Sequence, residues 1–331
     1  MNYKGCMKIA RALTLLALMV STLTIVASPA NASTSPITAE WTEPQAGYGF
    51  LDAAVASAHH RVELSMYELE DPTMVATLDA AARRGVSVSV ILNSAYSGRT
   101  HNASAAATLS AHGFHVTWAP GNQIFHAKYL VVDTRAYIGT VNFVPQDYAD
   151  TRDYWIEDTT ASDVNAIAGT FSGDVAGNTT SSSSSGGLVW SPGSESTLES
   201  FILTARHSVL IENEEMYSYG IEDAIAAAAA RGVAVTVVMT RDSKYYSDLS
   251  WLASRHVHVR LLSSGQIYIH AKAMCVDCVA SRGTVFVGSI NFSNSSTNYN
   301  RELGVITSSP IVVGAVRATI AADATLGVPY A

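Results

Sequence analysis

Two short segments of the chain carry the same polar residues at the same spacing. The first reads FHAKYLVVD and the second IHAKAMCVD, so each has a His-x-Lys pair and an aspartate seven residues after the histidine. A G-[TS]-x-N segment follows each of them. A structural repeat need only keep its apolar period and its turns, so preserved polar residues indicate function. They are His126, Lys128, Asp133, Thr140 and Asn142 in the first copy, and His270, Lys272, Asp277, Ser289 and Asn291 in the second.

These residue types fit chemistry on a phosphoryl group. Two lysines and two asparagine amides directed at one place provide donors for negatively charged oxygens. Two histidines can divide the remaining work: a neutral imidazole attacks phosphorus, and a protonated one gives its proton to the leaving oxygen. This chemistry requires no metal ion, and we expect no metal and no other cofactor. In an unbroken strand Asp133 and Asp277 face away from the histidines, which favours an orienting or anchoring role within the catalytic set.

The elements that must position these residues are duplicated as well. The segment 62–92 returns 147 residues later as 209–239. Each copy has a strand, a helix and a β-branched strand, and in the first copy Asp71 is the predicted N-cap, Pro72 the first helical residue and Gly85 the stop. This patterning predicts an α/β fold of two similar layered repeats with mostly parallel sheets. Two units of one design usually pack about a pseudo-two-fold axis, so we expect the active site at their interface.

Composition divides the chain into four parts. Residues 1–32 have a basic start, an apolar run and a small-residue site ending at Ala32, which is the form of a secretory signal peptide. An uncleaved membrane anchor is the alternative, although the apolar run is short for a hydrocarbon core of about 30 Å. The Ser/Gly/Thr-rich run 172–187 predicts a flexible linker between a first repeat, 33–171, and a second, 188–331. We therefore expect a secreted or periplasmic protein.

Cleavage of the signal peptide would make the protein more acidic. The 20 basic residues fall to 17 while the 28 acidic residues remain, so the net charge goes from −8 to −11. This charge argues against broad, salt-dependent binding along a nucleic acid backbone, which requires clustered lysines and arginines. A local basic pocket is compatible with it.

The two cysteines of the mature chain, Cys275 and Cys278, lie beside the second His-x-Lys pair. Residues i and i+3 of an extended strand are about 10 Å apart, too far for a disulfide, so pairing requires a turn between them. A zinc half-site is the alternative. The first copy has Val131 and Thr134 at these positions, which separates the cysteines from the shared chemistry and favours a disulfide that ties a local turn.

Both copies resemble the signature of the phospholipase D superfamily, H-x-K-x4-D followed by G-[GST]-x-N, and the resemblance covers nearly the whole mature chain. It implies a sandwich-like α/β fold in which the two motifs meet, and a two-step displacement through a covalent phosphohistidine. It further implies His126 as the nucleophile and His270 as the general acid and then base. The implied phosphoryl cradle consists of Lys128, Lys272, Asn142 and Asn291, with Thr140 and Ser289 in support.

A carboxylate follows each motif at a matched distance, Asp153 in TRDYWI and Glu302 in NRELGVI. Members of the superfamily often place a carboxylate there, so the resemblance implies that this pair holds the second nitrogen of each histidine. Fixing the tautomer is a physical requirement for an imidazole nucleophile. The alternative is that Arg152–Asp153 and Arg301–Glu302 are surface charge pairs.

Together these expectations describe a secreted phosphodiesterase of the phospholipase D type. It would act on a phospholipid headgroup ester by hydrolysis or by transfer to an alcohol, as a monomer in transient contact with a membrane surface. A secreted non-specific endonuclease of the same superfamily, with nucleic acid as its substrate, is the first alternative. A catalytically inactive binding module is the second, and the completeness of both motif sets disfavours it.

Overall fold

The duplicated sequence forms two α/β units, which the computed structural model describes over residues 37–183 and 185–330. The predicted signal peptide lies outside these residues. The first repeat contains β1 (Ile37–Glu43), α1 (Gly49–Ala56), β2 (Arg61–Met66), α2 (Pro72–Arg83), β3 (Ser87–Leu92), α3 (Gly98–His101), α4 (Ala103–Ala111), β4 (His115–Trp118), β5 (Tyr129–Val132), β6 (Arg135–Gly139), β7 (Thr151–Asp158) and α5 (Ala161–Val175). The second repeat contains β8 (Leu188–Ser191), α6 (Glu195–Leu203), β9 (Ser208–Asn213), β10 (Met216–Tyr217), α7 (Tyr219–Ala230), β11 (Ala234–Thr240), α8 (Tyr246–Ala253), β12 (His258–Leu262), β13 (Tyr268–Ile269), β14 (Lys272–Val279), β15 (Arg282–Gly288), β16 (Phe292–Ser293), α9 (Asn294–Asn298), β17 (Glu302–Thr307), α10 (Pro310–Leu326) and β18 (Val328–Pro329).

The described residues form two eight-stranded sheets of mixed direction, one built on each repeat. The strand orders are β1-β7-β6-β5-β2-β3-β4, which β13 of the second repeat joins at β7, and β18-β12-β11-β9-β14-β15-β17-β8. Strands β2, β3 and β4 are parallel, as are β9, β11 and β12. The other neighbours along these two orders are antiparallel. The α/β class with two similar repeats is confirmed, but the expectation of mostly parallel sheets is wrong.

The antiparallel pairs follow from connections that are too short for a crossover. Only Asp133 and Thr134 separate β5 from β6, whereas a parallel connection needs a dozen residues or more. Asp133 has a φ of 51°, and Asp277, its counterpart in the second repeat, has the same value. Aspartate tolerates this left-handed conformation better than most residues, so it suits a tight turn after each motif strand.

Helix α2 begins and ends as the sequence predicts. The side chain of Asp71 accepts a hydrogen bond from Thr73 N at 2.8 Å, and Pro72 is the first helical residue. The helix ends at Arg83, and Gly85 follows with a φ of 91°, a conformation that glycine adopts at little cost. The capping residue, the proline and the glycine thus predict the bounds of the helix that connects the two parallel strands β2 and β3.

Three apolar clusters hold the layers together. One lies within the first repeat, between its sheet and helices α1, α2 and α4, and another within the second repeat, against α6, α7 and α8. The third combines residues of both sheets with residues of α5 and α10, among them the fully buried Tyr129, Tyr154 and Leu303. The sheets therefore share one core, and the motifs of the two repeats meet beside it. No helix within the described ranges is long and apolar enough to cross a membrane.

The predicted linker begins later than expected. Helix α5 continues to Val175, so the first four residues of the run 172–187 are helical. Beyond the helix, the carbonyl oxygen of Ser181 accepts a hydrogen bond from Arg301 Nη2 at 2.7 Å, which ties the connection to the second repeat. Asp174, within the predicted linker, is buried and paired with the same arginine. The prediction of a flexible linker from residue 172 is therefore wrong for the helical residues 172–175, and the linker beyond them stays a prediction.

Candidate active site

Each motif histidine is positioned by a strand of the other repeat. Phe125 forms a parallel bridge with Arg301, and the N–H of His126 donates to Arg301 O at 2.8 Å. In the other half, β13 pairs in parallel with β7, which places Ile269 opposite Arg152. Phe125 and Ile269 are the residues directly before the two histidines. Equivalent positions of the repeats thus exchange partners, as a pseudo-two-fold relation requires.

The carboxylates that hold the histidines also cross the interface. His126 Nδ1 lies 2.9 Å from Glu302 Oε2, and His270 Nδ1 lies 2.9 Å from Asp153 Oδ1. Both carboxylates are fully buried, whereas the side chains of His126 and His270 are 12% and 14% exposed. Since Nδ1 of each ring has a partner, Nε2 is the nitrogen that remains for chemistry. Neither repeat alone would contain an oriented histidine.

Thr140 and Ser289 support the carboxylates and not a phosphoryl cradle. Thr140 Oγ1 donates to Asp153 Oδ1 at 2.5 Å, and Ser289 Oγ donates to Glu302 Oε2 at 2.6 Å. Ser296 Oγ adds a bond to Glu302 Oε1 at 2.8 Å. A hydroxyl has a single proton to donate, and here a carboxylate accepts it. The assignment of Thr140 and Ser289 to phosphate binding is therefore wrong.

The glycine before each of these hydroxyls is required by close packing. A Cβ added to Gly139 would collide with the ring of Trp155, and one added to Gly288 would collide with the backbone of Gly304. These approaches bring the motif's hydroxyl within reach of the carboxylate strand, β7 or β17. The glycine of the signature therefore has a packing role.

The arginines beside the two carboxylates are buried and also join the repeats. Arg152 Nε donates to Asp323 Oδ2 at 2.6 Å, and Arg301 Nε donates to Asp174 Oδ2 at 3.0 Å. Each ion pair links a strand of one repeat to the last helix of the other. The alternative interpretation of Arg152 and Arg301 as members of surface charge pairs is wrong. Removing one partner of such a buried pair typically costs about 3–5 kcal/mol.

The side chains expected to bind phosphate are buried and keep unused polar atoms. Lys128 and Lys272 have no exposed surface, and each Nζ donates a hydrogen bond to the main-chain carbonyl of its motif histidine. Lys272 Nζ has a second partner, the carboxylate of Glu214. An ammonium group carries three protons, so donors remain. The Oδ1 atoms of Asn142 and Asn291 are buried without a hydrogen-bond partner in the described part of the chain. An amide oxygen only accepts hydrogen bonds, so the donors that these two side chains offer to phosphoryl oxygens are their Nδ2 groups.

Burial sets the protonation of the first half of the site. It lowers the pKa of His126 below its usual value; Glu302 opposes this, and Lys128 adds to it. The neutral imidazole, which a nucleophile requires, is therefore favoured at neutral pH. Burial and the neighbouring Lys272 lower the pKa of Lys128 to about 7. A bound anion between these groups would favour the charged lysine.

A charged residue at the centre of the site, Glu214, was not predicted from the sequence. Glu214 follows β9, and its Oε2 lies 2.9 Å from Lys272 Nζ and 3.7 Å from His270 Nε2. The first repeat has Tyr67 at the equivalent position, with its ring centroid 4.9 Å from that of His126. The available signal was the acidic run IENEE, in which Glu212 and Glu214 replace the uncharged Ser65 and Tyr67 of the first copy.

Asp133 and Asp277 lie at the far ends of the motif strands and take no part in the site. The carboxylate of Asp133 accepts hydrogen bonds from the main-chain N–H groups of residues 59–61 at 2.8–2.9 Å. Asp277 accepts them from residues 206–208 at 2.7–3.2 Å. These donors lower the pKa of both carboxyls against the effect of burial. Their inclusion in the catalytic set is wrong, and their role is to anchor the chain that enters β2 and β9.

We expect Asp133→Ala to lower stability and to leave catalysis nearly intact. The substitution removes the acceptor of three main-chain donors and puts alanine in a left-handed conformation, at a cost of about 1–3 kcal/mol. Urea unfolding measures the loss, and turnover of a soluble chromogenic phosphodiester measures catalysis. Asp133→Asn, which tolerates the conformation, should lose less. A Tm at the wild-type value together with abolished turnover in Asp133→Ala would contradict the anchoring role.

Cys275 and Cys278 form a disulfide with a Cα–Cα distance of 5.9 Å. The strand is irregular between them: the register of β14 with β15 shifts between Val276 and Val279, and Asp277 has its left-handed φ there. This turn brings the two Cα atoms closer together than an extended strand would, and so allows the disulfide to form. The bond ties the end of β14 and is separate from the phosphoryl chemistry.

Side chains with the spacing of metal ligands occur beside the site, outside both signature motifs. Glu68, Glu70 and His101 bring one ligand atom each within 4.8 Å of the others. His101 is exposed, and its Nδ1 lies 2.7 Å from Glu70 Oε1. Glu70 and His101 form an ion pair at the surface, and none of the three side chains belongs to the histidine and lysine pairs.

A family comparison agrees with this geometry. Residues 51–174 and 198–324 match the model of the family described as cardiolipin synthase, PLD-like domain. Each matched segment contains one complete His-x-Lys motif with its G-[TS]-x-N segment, and together they cover most of the chain. The chain belongs to the phospholipase D superfamily. Membership of this superfamily indicates that the two halves of the site serve chemistry of the phosphodiesterase type. A comparison with curated protein sequences found no match.

Solved structures share the fold of this phospholipase D-like chain. Phosphatidylserine synthase from Haemophilus influenzae superimposes with a TM-score of 0.71 at 12% identity, over 91% of this chain and 89% of its own. Polyphosphate kinase from Porphyromonas gingivalis gives 0.66 at 15% identity over 86% of this chain, which spans 50% of the kinase. At these identities the likeness establishes the fold alone. Nuc, a phospholipase D family member from Salmonella typhimurium, is 25% identical over 43% of this chain and 95% of its own, with a TM-score of 0.39.

Proposed function

We propose that the protein is a secreted phosphodiesterase that cleaves the headgroup ester of a phospholipid through a covalent phosphohistidine. One observation carries this proposal. Two histidines, each held at Nδ1 by a buried carboxylate of the other repeat, keep Nε2 available beside two buried lysines and two buried asparagines. Such a site offers nucleophile, acid and anion-binding donors together.

In the first step His126 acts as the nucleophile. Its Nε2 forms a bond to phosphorus while the bond between phosphorus and the headgroup oxygen breaks. That oxygen takes a proton from His270 Nε2 and leaves as an alcohol. Glu302 stabilises the positive charge that develops on the ring of His126, and Lys128 and Lys272 neutralise the phosphoryl oxygens.

In the second step His270 acts as a base. It takes a proton from water or from an acceptor alcohol, whose oxygen attacks phosphorus as the bond to His126 Nε2 breaks. Water gives hydrolysis and releases a phosphatidic acid, whereas an alcohol gives transfer to a new headgroup. Both outcomes restore the neutral His126 and the protonated His270.

The choice of a lipid substrate rests on charge and on family. The acidic mature chain disfavours a polyanion bound along its length, and the matching family model is named for a synthase of the phospholipid cardiolipin. A predicted signal peptide at residues 1–32 supports export. The acidic surroundings of the second histidine, described below, agree with this choice.

A side-by-side assay tests the proposal. Purified protein from residue 33 onwards is given phosphatidylcholine vesicles, single-stranded DNA and bis(p-nitrophenyl) phosphate at low salt, with EDTA present throughout. We expect release of the lipid headgroup and of p-nitrophenol. Degradation of DNA with no lipid turnover would replace the lipid proposal by the nuclease alternative. Absence of all three activities would overturn the phosphodiesterase proposal, and activity that depends on an added metal would overturn the mechanism.

A further inference from the structure

The two halves of the site differ in charge at a pair of equivalent positions beside the motif histidines. Tyr67 follows β2 and Glu214 follows β9, and the duplicated segments align them without a gap. On the first side the ring of Tyr67 lies edge-on to His126, and Lys128 Nζ is 5.4 Å from the centroid of that ring. On the second side a carboxylate takes the place of the ring. Among the described residues, Lys272 therefore has an ion-pair partner that does not hold a histidine, whereas Lys128 has no ion-pair partner.

The contacts of Glu214 place this charge where leaving-group chemistry occurs. Its Oε2 lies 2.9 Å from Lys272 Nζ, 3.4 Å from Asn291 Nδ2 and 3.7 Å from His270 Nε2. Its Oε1 accepts a hydrogen bond from the hydroxyl of Tyr268 at 3.1 Å. Burial opposes ionisation of this carboxyl, but Lys272 and His270 overcome it and hold the pKa of Glu214 far below its usual value.

A cavity of about 340 Å³ opens from His270 towards the solvent. Glu214 lines its inner end, and the exposed Asp147 and Asp150 line its outer part. The described residues that line it include no lysine or arginine, and the neighbouring cation Lys272 has its Nζ paired with Glu214. Asn142 also lines it, is 9% exposed, and has an Oδ1 without a hydrogen-bond partner. The cavity therefore joins the reacting nitrogen to a negatively charged space and to a buried polar atom that lacks a partner.

We propose that this cavity binds the leaving alcohol and selects one that carries a positive charge, such as an amino alcohol, with Glu214 as the specificity-determining residue. The inference rests on the proposed function and adds the chemical class of the headgroup. In-line displacement puts the leaving oxygen opposite the attacking His126, and so on the side of His270. The headgroup then extends from that oxygen into the space between Glu214 and Asp147.

Charge complementarity explains why the cavity would select a positively charged alcohol over a neutral or an anionic one. When the phosphoryl group binds, its oxygens compete with Glu214 for Lys272 and Asn291, and the carboxylate becomes available to an ammonium on the headgroup. A neutral alcohol of the same size gains nothing from this exchange. An anionic group, such as the neighbouring phosphate of a nucleic acid strand, meets three carboxylates and is repelled.

The test compares two lipids that share the reaction and differ in headgroup charge. Phosphatidylethanolamine and phosphatidylglycerol are diluted in the same neutral detergent micelles, and the readout is the ratio of their kcat/KM values. We expect the wild type to favour phosphatidylethanolamine by roughly tenfold or more, and Glu214→Gln to lower the ratio by about tenfold. Asp147→Asn should lower it less. The control, Asp223→Asn on the exposed face of α7, should keep the wild-type ratio.

A change of both rates by the same factor in Glu214→Gln would overturn the proposal. An equal rise would mean that Glu214 merely occupies the phosphate site, and an equal fall would mean a structural role. A second measurement on the wild type needs no variant and no lipid turnover. Choline and its uncharged isostere 3,3-dimethylbutan-1-ol are compared as inhibitors of bis(p-nitrophenyl) phosphate cleavage. We expect choline to inhibit at roughly tenfold lower concentration, and equal inhibition would overturn the proposal.

The chromogenic diester separates this inference from the proposed function. If the wild type cleaves no diester at all, the proposed function fails. If it cleaves the chromogenic diester but shows no preference for the charged alcohol or the charged headgroup, only the selection by Glu214 fails.

Discussion

Replacing His126 by alanine is expected to lower kcat/KM for phosphodiester cleavage by about 10⁴-fold or more, because no other described side chain takes the place of its Nε2. His126→Asn is the matched variant, since an amide can still donate to Glu302 but cannot attack phosphorus. Both variants should keep a cooperative thermal transition. Turnover near the wild-type rate in either one would contradict the assignment of the nucleophile.

His270→Ala separates the nucleophile from the acid. The p-nitrophenolate anion leaves without a proton, so the first step with bis(p-nitrophenyl) phosphate should survive in this variant. The second step requires His270 as a base and should stop. We expect a burst of p-nitrophenol equal to the enzyme concentration, no further turnover, and a phosphorylated His126 that peptide mapping detects. A burst in His126→Ala, with phosphate on His270, would reverse the two roles.

The paired histidines, lysines and asparagines could be found from sequence because the duplication preserved them. The chemistry requires particular residue types. A second copy of the segment shows which of these types are retained when the surrounding apolar residues change. The strand that continues from each His-x-Lys pair and the parallel β-α-β segment before it were also predicted. Local patterns of this kind depend on neighbouring residues alone.

The direction of the remaining strands depended on a turn that the sequence pattern did not reveal. Asp133 was assigned by the signature to the catalytic set, although its conformation and its bonds to residues 59–61 make it the turn residue between β5 and β6. Had the aspartate been recognised as a turn residue, the two-residue connection would have predicted an antiparallel hairpin. The same mistake therefore produced both the wrong sheet direction and the wrong residue role.

The contacts across the interface lay beyond any pattern along the chain. His126 and its carboxylate partner Glu302 are 176 residues apart, and His270 and Asp153 are 117 apart. The carboxylates were identified by their matched positions, but the sequence did not say which repeat each one serves. Glu214 was missed for a related reason: only residues shared by both copies were selected, and the first copy has Tyr67 at its position. In a site with two unequal roles, a difference between equivalent positions is itself informative.

Glu302→Gln is expected to lower kcat by roughly 10³-fold while the fold persists, although Glu302 lies in a different repeat from the nucleophile it serves. Glutamine keeps an oxygen for the Nδ1 proton of His126 but has no negative charge. The positive charge that develops on the ring during attack then loses its buried counter-ion. Ser289→Ala is the matched control, because it removes a hydrogen bond to Glu302 and keeps the charge; we expect it to cost about tenfold.

The pH profile distinguishes this electrostatic role from a structural one. Glu302 raises the pKa of His126 against the effect of burial, so its neutralisation should lower that pKa further. The nucleophile must be uncharged and is active above its pKa, so the acid limb of kcat/KM should move to lower pH in Glu302→Gln. It should stay in place in Ser289→Ala. A loss of activity in Glu302→Gln with an unmoved acid limb would mean that the carboxylate only packs the interface. A shifted limb would show that one repeat tunes the nucleophile of the other, which explains why the two halves act only as a pair.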